Sequence, residues 1–210
     1  FGGSRGFSVF SSFGPVLIDS GNSFERLAVR HGHYPEDCSE NKGSEPEAIE
    51  YGRFGGDDYL FVASERGSFV AVYDLKLGVY PQSKQVLPAP FGPEGLLAIP
   101  SRNLLVASGE EDAGPLGVRS TISIYRLERG EPSYPQILSA NDSNGQPIGW
   151  SALSGMVALP KSGADHRLHF AQWRSRQLRS GGHCDSAGRH ALDCERRQRN
   201  GLAPEPADPV

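Results

Sequence analysis

The sequence predicts an all-β protein built mainly from antiparallel strands. Glycine and proline, at 26 and 16 of 210 residues, supply frequent turns. Short runs of alternating or apolar residues lie between the turns, as in Phe69 to Asp74 and Thr121 to Tyr125. Only Ser23 to His31 has the spacing of a helix. No apolar run approaches the roughly 20 residues that a membrane span needs, so no membrane span is expected.

A repeat organises residues 1–160. Its first copy starts at Glu45-Pro46-Glu47 and its second at Gly92-Pro93-Glu94, so that the Pro-Glu pairs are 47 positions apart. This spacing is close to the roughly 40 to 50 residues of a four-stranded propeller blade. Two further strands match between the copies: Tyr59 to Glu65 with Asn103 to Glu110, and Gly67 to Leu75 with Ser120 to Leu127.

Partial copies flank the two longer ones. Gly3 to Phe10 has the pattern of the last strand of an earlier unit, and Leu153 to Pro160 matches Pro93 to Pro100. The sequence therefore predicts a partial β-propeller of about three incomplete four-stranded blades. A closed ring takes roughly four to eight blades, so the remainder of the propeller is expected to be missing from this chain, which opens without a methionine or a signal peptide. A small, complete β-sandwich is the alternative.

Residues 161–210 differ in composition from residues 1–160. Net charge is −7 in the first region and +3 in the second, which sum to the −4 of the whole chain. The strand pattern stops after Pro160, so we expect an irregular, disordered tail, and we hypothesise that a frameshift near residues 160–166 replaced the original continuation. The spacing of Cys184, His190 and Cys194 matches no common zinc site. The overall acidic charge gives no reason to expect a nucleic-acid partner.

Acidic residues recur at matching places in the repeat. Glu47 and Glu94 follow the prolines, whereas Glu65 and Glu110 follow the central strands. Strand ends gather near the channel mouth of a propeller, and calcium prefers six to eight oxygen ligands. The pattern predicts a calcium site made by these four glutamates. Arg66 and Arg119 are the candidate ligand-binding residues, since an arginine holds a phosphate or carboxylate bidentately. In the alternative interpretation, the carboxylates bind backbone amides at turns and pair with local arginines.

Several motifs, in order, resemble the phytase-like, "esterase-like activity of phytase" family of bacterial secreted β-propellers. The similar segments are Gly43 to Ile49, Tyr59 to Arg66, Gly92 to Pro100, Arg119 to Tyr125 and Pro147 to Gly155. Gly3 to Phe10 and Asp19 to Glu25 are also similar to related bacterial surface propellers. The resemblance covers residues 1–160 and does not extend into the tail.

The resemblance implies an extracellular or periplasmic protein that hydrolyses a small phosphate or carboxylic ester by a metal-assisted mechanism, with the two arginines offsetting developing charge. The chain has no Gly-x-Ser-x-Gly elbow, so the catalytic residues stay unknown; Ser154, His31 and His33 are weak candidates. A non-catalytic binding or cell-surface module is the leading alternative. An inactive fragment that does not fold stably is the third.

Overall fold

A computed structural model describes residues 5–76, 80–112, 114, 117, 119–130 and 136–151. These ranges contain nine β-strands, which form three antiparallel sheets, and one α-helix. The all-β prediction is therefore confirmed. The expected third unit from Leu153 onward and the tail at residues 161–210 lie outside the described residues. No helix in the described ranges is long and apolar enough to cross a membrane.

The strands follow one another along the chain as antiparallel neighbours. Sheet 1 contains β1 (Ser8–Phe10) and β2 (Val16–Asp19). Sheet 2 contains β3 (Pro46–Phe54), β4 (Asp57–Ser64), β5 (Phe69–Asp74) and β6 (Gln82–Pro88). Sheet 3 contains β7 (Pro93–Ile99), β8 (Leu104–Gly109) and β9 (Ile122–Arg126). Short 3₁₀ turns occupy Glu36–Cys38 and Pro100–Arg102.

The only helix in the described residues is α1 (Ser23–His31), at the position predicted from the sequence. Phe24 and Ala28 lie four residues apart and form its buried face. The helix ends at Gly32, whose φ of 71° is left-handed and whose amide donates to the carbonyls of the last turn. The spacing of the apolar residues and the left-handed C-cap at Gly32 together explain why these nine residues form a helix that ends at His31.

The two central strands of sheet 2, β4 and β5, are buried on both faces. The strands β4 and β5 alternate, so that Phe61 and Val72 point to the core shared with sheet 3, whereas Val62 and Phe69 point to α1 and Phe7. Phe24 and Phe69 are fully buried and stack with ring centroids 5.3 Å apart. Sheet 2 is therefore the central layer of the described structure.

Sheets 2 and 3 begin in the same way. Pro46 pairs with Ser64, and Pro93 pairs with Gly109; in both sheets the register then shifts by one residue. The Pro-Glu segments consequently start equivalent strands, as the repeat predicts. In the described residues sheet 3 has three strands, whereas sheet 2 has four.

The register settles one detail that the sequence match leaves open. The match joins seven residues, Tyr59 to Glu65, with eight, Asn103 to Glu110, and counting from the paired prolines makes Leu60 equivalent to Leu105. A shift of one residue moves every side chain of a strand to the other face of its sheet. The register therefore decides which side chains of β8 face sheet 2: Leu105 and Ala107 do so, and Val106 does not.

Candidate functional site

Glu47 and Glu94 are the extra residues of two equivalent β-bulges. Each follows the proline that begins its strand and is skipped by the strand register, since Pro46 pairs with Ser64 and Ala48 pairs with Ala63. The same irregularity lies between Pro93 and Gly95. A bulge re-aims the side chain of its extra residue, and bulges are enriched beside functional sites. Both carboxylates are exposed.

Glu65 and Glu110 occupy equivalent positions directly after β4 and β8. The amide of Glu65 donates to the carbonyl of Glu45 at 2.9 Å, and the amide of Glu110 donates to the carbonyl of Gly92 at the same distance. These matching bonds hold the two strand ends in the same way. The side chain of Glu65 is buried, whereas that of Glu110 is exposed.

The structure brings the four predicted glutamates into one cluster. Carboxylate oxygens of Glu65, Glu94 and Glu110 lie within 4.8 Å of one another, and so do oxygens of Glu45, Glu47 and Glu65. Glu65 belongs to both groups, so it links carboxylates of sheet 2 to carboxylates of sheet 3. We call these five residues the glutamate cluster.

Sequence reasoning missed Glu45. Its repeat equivalent is Gly92, so a comparison of the two copies does not mark it as a recurring acid. Both residues have a left-handed backbone, with φ of 44° for Glu45 and 59° for Gly92. Glycine adopts this conformation at little cost, whereas another residue is strained there by roughly 1 kcal/mol or more. A non-glycine residue at a glycine position is the signal that points to a role for the Glu45 side chain.

The role of Glu45 is ionic. Its carboxylate pairs with Lys42, and it accepts a bond from Arg66 Nε at 2.5 Å in a pair whose two side chains are almost fully buried. Burial opposes ionisation of Glu45, but the bonds from Lys42 and Arg66 outweigh it and lower the pKa of the carboxyl. Glu45 is therefore a charged, structurally paired member of the cluster.

The pKa values of Glu65 and Glu47 are raised, in contrast to the lowered pKa of Glu45. Burial, together with the negative charge of Glu45, raises the pKa of Glu65 to about 8. At neutral pH its carboxyl therefore carries a proton, which is available for the hydrogen bond between Glu65 and Glu45. Partial desolvation by its neighbours, together with the hydrogen bond and charge of Glu45, also raises the pKa of Glu47, although its side chain is exposed at the surface. The convergence of several carboxyls in a partly desolvated cluster produces these shifts.

The two predicted ligand-binding arginines lie in different surroundings. Arg66 adjoins the cluster, but its guanidinium is buried and bonds Glu45 and, at 3.3 Å, Cys38 Sγ. Arg119 pairs with Asp112 at 3.1 Å, in a pair that is well exposed to solvent. No experiment or comparison tests their assigned role, which stays a prediction.

The two histidines make local contacts. Nδ1 of His33 donates to the carbonyl of Gly67 at 2.8 Å, and burial lowers the pKa of the ring. Nδ1 of His31 bonds the carbonyl of Leu27 within α1, at 2.9 Å. Ser154 and the Cys184, His190 and Cys194 set lie outside the described residues.

Comparison with known families places a match on the first part of the chain. The family model of the Choice-of-anchor I domain matches residues 1–77, little more than a third of the sequence. The match hints at a cell-surface protein; it includes Glu45, Glu47 and Glu65, and it ends before Glu94 and Glu110. No curated protein and no solved structure matches the chain.

Proposed function

We propose that residues 1–160 are part of a β-propeller, of the phytase-like kind that the sequence resembles, and that sheets 2 and 3 are consecutive blades. Three features support this proposal: the repeat length, the equivalent bulges at Glu47 and Glu94, and the face-to-face packing of the two sheets. A complete β-sandwich has no need for two sheets that begin with the same proline, bulge and glutamate. Residues 161–210 form a separate region in this proposal.

The function that the geometry supports best is binding of a divalent cation, calcium by its ligand preference, at the junction of these two sheets. The observation that carries it is the approach of Glu65 to Glu94 and Glu110 within 4.8 Å, because these carboxylates come from different sheets. Carboxylate oxygens are the hard donors that calcium prefers. Glu47, Glu65, Glu94 and Glu110 are the proposed ligands, and their fit to the ion rests on this donor chemistry.

Glu45 acts as a support in this proposal. Its carboxylate is already bound by Lys42 and Arg66, so it fixes the strand end that carries Glu47 and stays out of the proposed ligand set. A cation between the sheets would offset the charges of the remaining glutamates and would bind Glu65 as the carboxylate, with release of its proton. The bound ion would then stabilise the contact between sheets 2 and 3 as well as create a binding surface.

The cation site belongs, in this proposal, to a non-catalytic module at the cell surface. The Choice-of-anchor I match supports the location. The engagement of Arg66 with Glu45 and Cys38 supports a binding role over a catalytic one, because a buried, paired guanidinium is not available to a substrate. An extracellular location also supplies calcium at concentrations that weak sites of about 10⁻⁴ to 10⁻³ M can use.

Hydrolysis of a phosphate or carboxylic ester is the second candidate. The exposed carboxylates of Glu47, Glu94 and Glu110 favour it, because they leave the cluster open to a small ligand. When bound, calcium would polarise the ester and neutralise charge. The chain's own part would be to hold the ester beside the carboxylates, with Arg119 as an exposed cation.

Calcium titration of the full chain by isothermal calorimetry tests the binding proposal. We expect one saturable site, and we expect Glu94→Gln to weaken it by about tenfold or more, since it removes one charged ligand. Glu128→Gln is the matched control, because Glu128 is an exposed acid that lies 3.9 Å from the exposed Arg126 and belongs to no carboxylate cluster in the described residues. Equal calcium affinity in both variants would refute the site.

Release of phosphate from phytate, and of product from a carboxylic ester, separates the two functions. If the module is non-catalytic, calcium binds without turnover of either substrate. Calcium-dependent turnover that Glu94→Gln abolishes and Glu128→Gln preserves would replace the binding role by hydrolysis.

A further inference from the structure

The hairpin formed by β1, β2 and their loop carries large apolar side chains that are open to solvent. Four of them are more than half exposed: Phe10 at 60%, Phe13 at 94%, Val16 at 54% and Leu17 at 63%. Single apolar residues are normal on a protein surface, but these four lie within eight consecutive residues. An exposed patch of this kind is typical of a surface that meets a partner or a membrane.

The same hairpin is free of charge between its two ends. Residues 6–18 contain no charged side chain, and Arg5 and Asp19 stand at the base. Arg5 pairs with Glu25 at 3.2 Å. Asp19 accepts a bond from Ser8 Oγ at 2.7 Å. Transfer of a charge from water into an apolar medium is very costly, and the hairpin tip has none to transfer.

The amides of the loop are mostly bonded within the loop itself. The amide of Ser11 donates to the carbonyl of Pro15 at 2.8 Å, and the amide of Gly14 donates to the carbonyl of Ser11 at 3.0 Å. The amide of Phe13 donates to Ser11 Oγ at 3.2 Å. Pro15 has no amide, so three of the four amides of residues 11–15 have partners inside the loop. Unbonded backbone groups keep an irregular segment out of an apolar medium, so these bonds lower the cost of inserting the tip.

Apolar side chains lie on both faces of the hairpin and beyond its tip. Phe10 pairs with Val16. Val9 pairs with Ile18, and both are partly exposed. Neighbouring residues of a strand point to opposite faces, so the two pairs lie on opposite faces. Phe13 extends the apolar surface past the ends of the strands. A protein partner covers one face of such a ribbon, whereas a lipid layer surrounds an inserted tip on all sides, so this distribution favours lipid.

The base of the hairpin is fixed to the core. The amide of Phe7 donates to Ser20 Oγ at 2.7 Å, and the amide of Ser20 donates to the carbonyl of Phe7 at 2.9 Å. The ring of Phe7 packs on Phe24 and Tyr73, with ring centroids 6.5 and 5.3 Å away. The core therefore holds the tip in place, which reduces the ordering cost of binding.

We propose that the hairpin tip, residues 10–17, inserts into the interfacial layer of a lipid bilayer and holds the protein at a membrane surface. The binding energy comes from the apolar area of the four exposed side chains, so it needs no anionic headgroup. Asp19 sets the depth of insertion, because its carboxylate stays in water beside the headgroups. The proposal uses no residue of the glutamate cluster, so it fails or stands separately from the cation site.

Vesicles of phosphatidylcholine test the insertion with the full chain. Phe13→Trp places a fluorescent reporter at the tip, and Phe91→Trp places one at a control position that is 49% exposed between β6 and β7. The unchanged protein, with its own two tryptophans, supplies the background emission. We expect vesicles to shift the emission of the tip reporter to shorter wavelength and brominated phosphatidylcholine to quench it. The reporter at position 91 should show neither effect.

A charge at the tip provides the second test. Phe13→Asp should lower the partition of the protein into these vesicles by about tenfold or more, because insertion would carry a carboxylate into the apolar layer. Phe91→Asp is the matched control and should keep the partition of the unchanged protein. Both positions are exposed, so neither substitution opens a packed core.

Three results would overturn the proposal. The first is absence of vesicle binding by the folded protein, and the second is equal partition of the two aspartate variants. The third is self-association in lipid-free solution that Phe13→Asp abolishes, which would show that a second copy covers the tip.

Discussion

At the scale of single residues, Glu65 is the group with the most altered chemistry. It follows a strand, as its sequence position predicts, but its neighbours set its protonation. Burial and the charge of Glu45 raise its pKa to about 8, whereas an unfolded chain leaves a glutamate near its ordinary value of about 4.3. The folded state therefore holds a proton that the unfolded state releases between these two pH values.

This difference predicts how stability depends on pH. The contribution of Glu65 is fully present below about pH 4.5 and is lost as the pH rises through about 8, at no more than about 1.4 kcal/mol per pH unit for one proton. Urea unfolding from pH 5 to pH 8, in the presence of a chelator, should show stability falling with pH. Glu65→Gln should flatten that decline, whereas Glu128→Gln should keep it. An identical decline in all three proteins would contradict the assigned protonation.

Four members of the glutamate cluster were predictable from the sequence, whereas the fifth was not. The recurrence of Glu47, Glu65, Glu94 and Glu110 was sufficient to predict that they gather, because equivalent strand ends meet at one edge of neighbouring sheets. Glu45 was not predictable in this way, since its recruitment depends on a left-handed backbone and on Lys42 and Arg66. The alternative interpretation, in which carboxylates pair with local arginines, describes Arg66, although its partner is Glu45 and not one of the four predicted glutamates.

At the scale of the elements, the spacing of apolar residues in the sequence predicts the strands and the helix. It does not fix the pairing register between strands. The bounds of α1 follow from three apolar positions and Gly32. The match of Tyr59 to Glu65 with Asn103 to Glu110 joins segments of seven and eight residues, so it leaves the equivalence of their positions open by one residue until the sheet pairing is known. Paired bulges move the register, and no local propensity reveals a bulge at Glu47 or Glu94. The sheet pairing alone determines which face each side chain occupies.

The contact between β3 and β7 gives a prediction at this scale. A Cβ added at Gly52 would lie 2.5 Å from Phe54 Cε2 and 2.9 Å from Ala98 Cβ, so Gly52→Ala must push the two strands apart. We expect a loss of about 1 to 3 kcal/mol in the free energy of unfolding, as for other overpacked sites. Urea denaturation measures it.

Two companion variants sharpen the Gly52 measurement. Gly149→Ala is the control, because its Cβ would meet Val29 Cγ1 at an ordinary 3.8 Å. Adding Ala98→Gly to Gly52→Ala should recover part of the loss, since it removes one of the two clashing carbons. Gly52→Ala as stable as the control would mean that β3 and β7 do not approach this closely.

At the scale of the whole molecule, sheet 2 lies between sheet 3 on one side and α1 with Phe7 on the other. One of its faces packs on sheet 3 and the other on α1 and Phe7, through alternate residues of the same two strands. Each of the strands β4 and β5 contributes side chains to both cores. A substitution that loosens one core is therefore expected to destabilise the other through these two strands. This arrangement predicts one cooperative unit rather than two layers that unfold separately.

Phe69→Ala tests that cooperativity. Phe69 is fully buried, stacks on Phe24 and adjoins His33, with ring centroids 5.3 and 5.5 Å away. Its truncation should cost about 3 to 5 kcal/mol, whereas Phe13→Ala, at an exposed position, should cost little. Hydrogen exchange should show the amides of β8 losing protection together with those of α1, although Phe69 faces only the helix side. If α1 loses protection while β8 keeps its own, the two cores are independent, and sheet 3 is held by its contact with sheet 2 without sharing its unfolding transition.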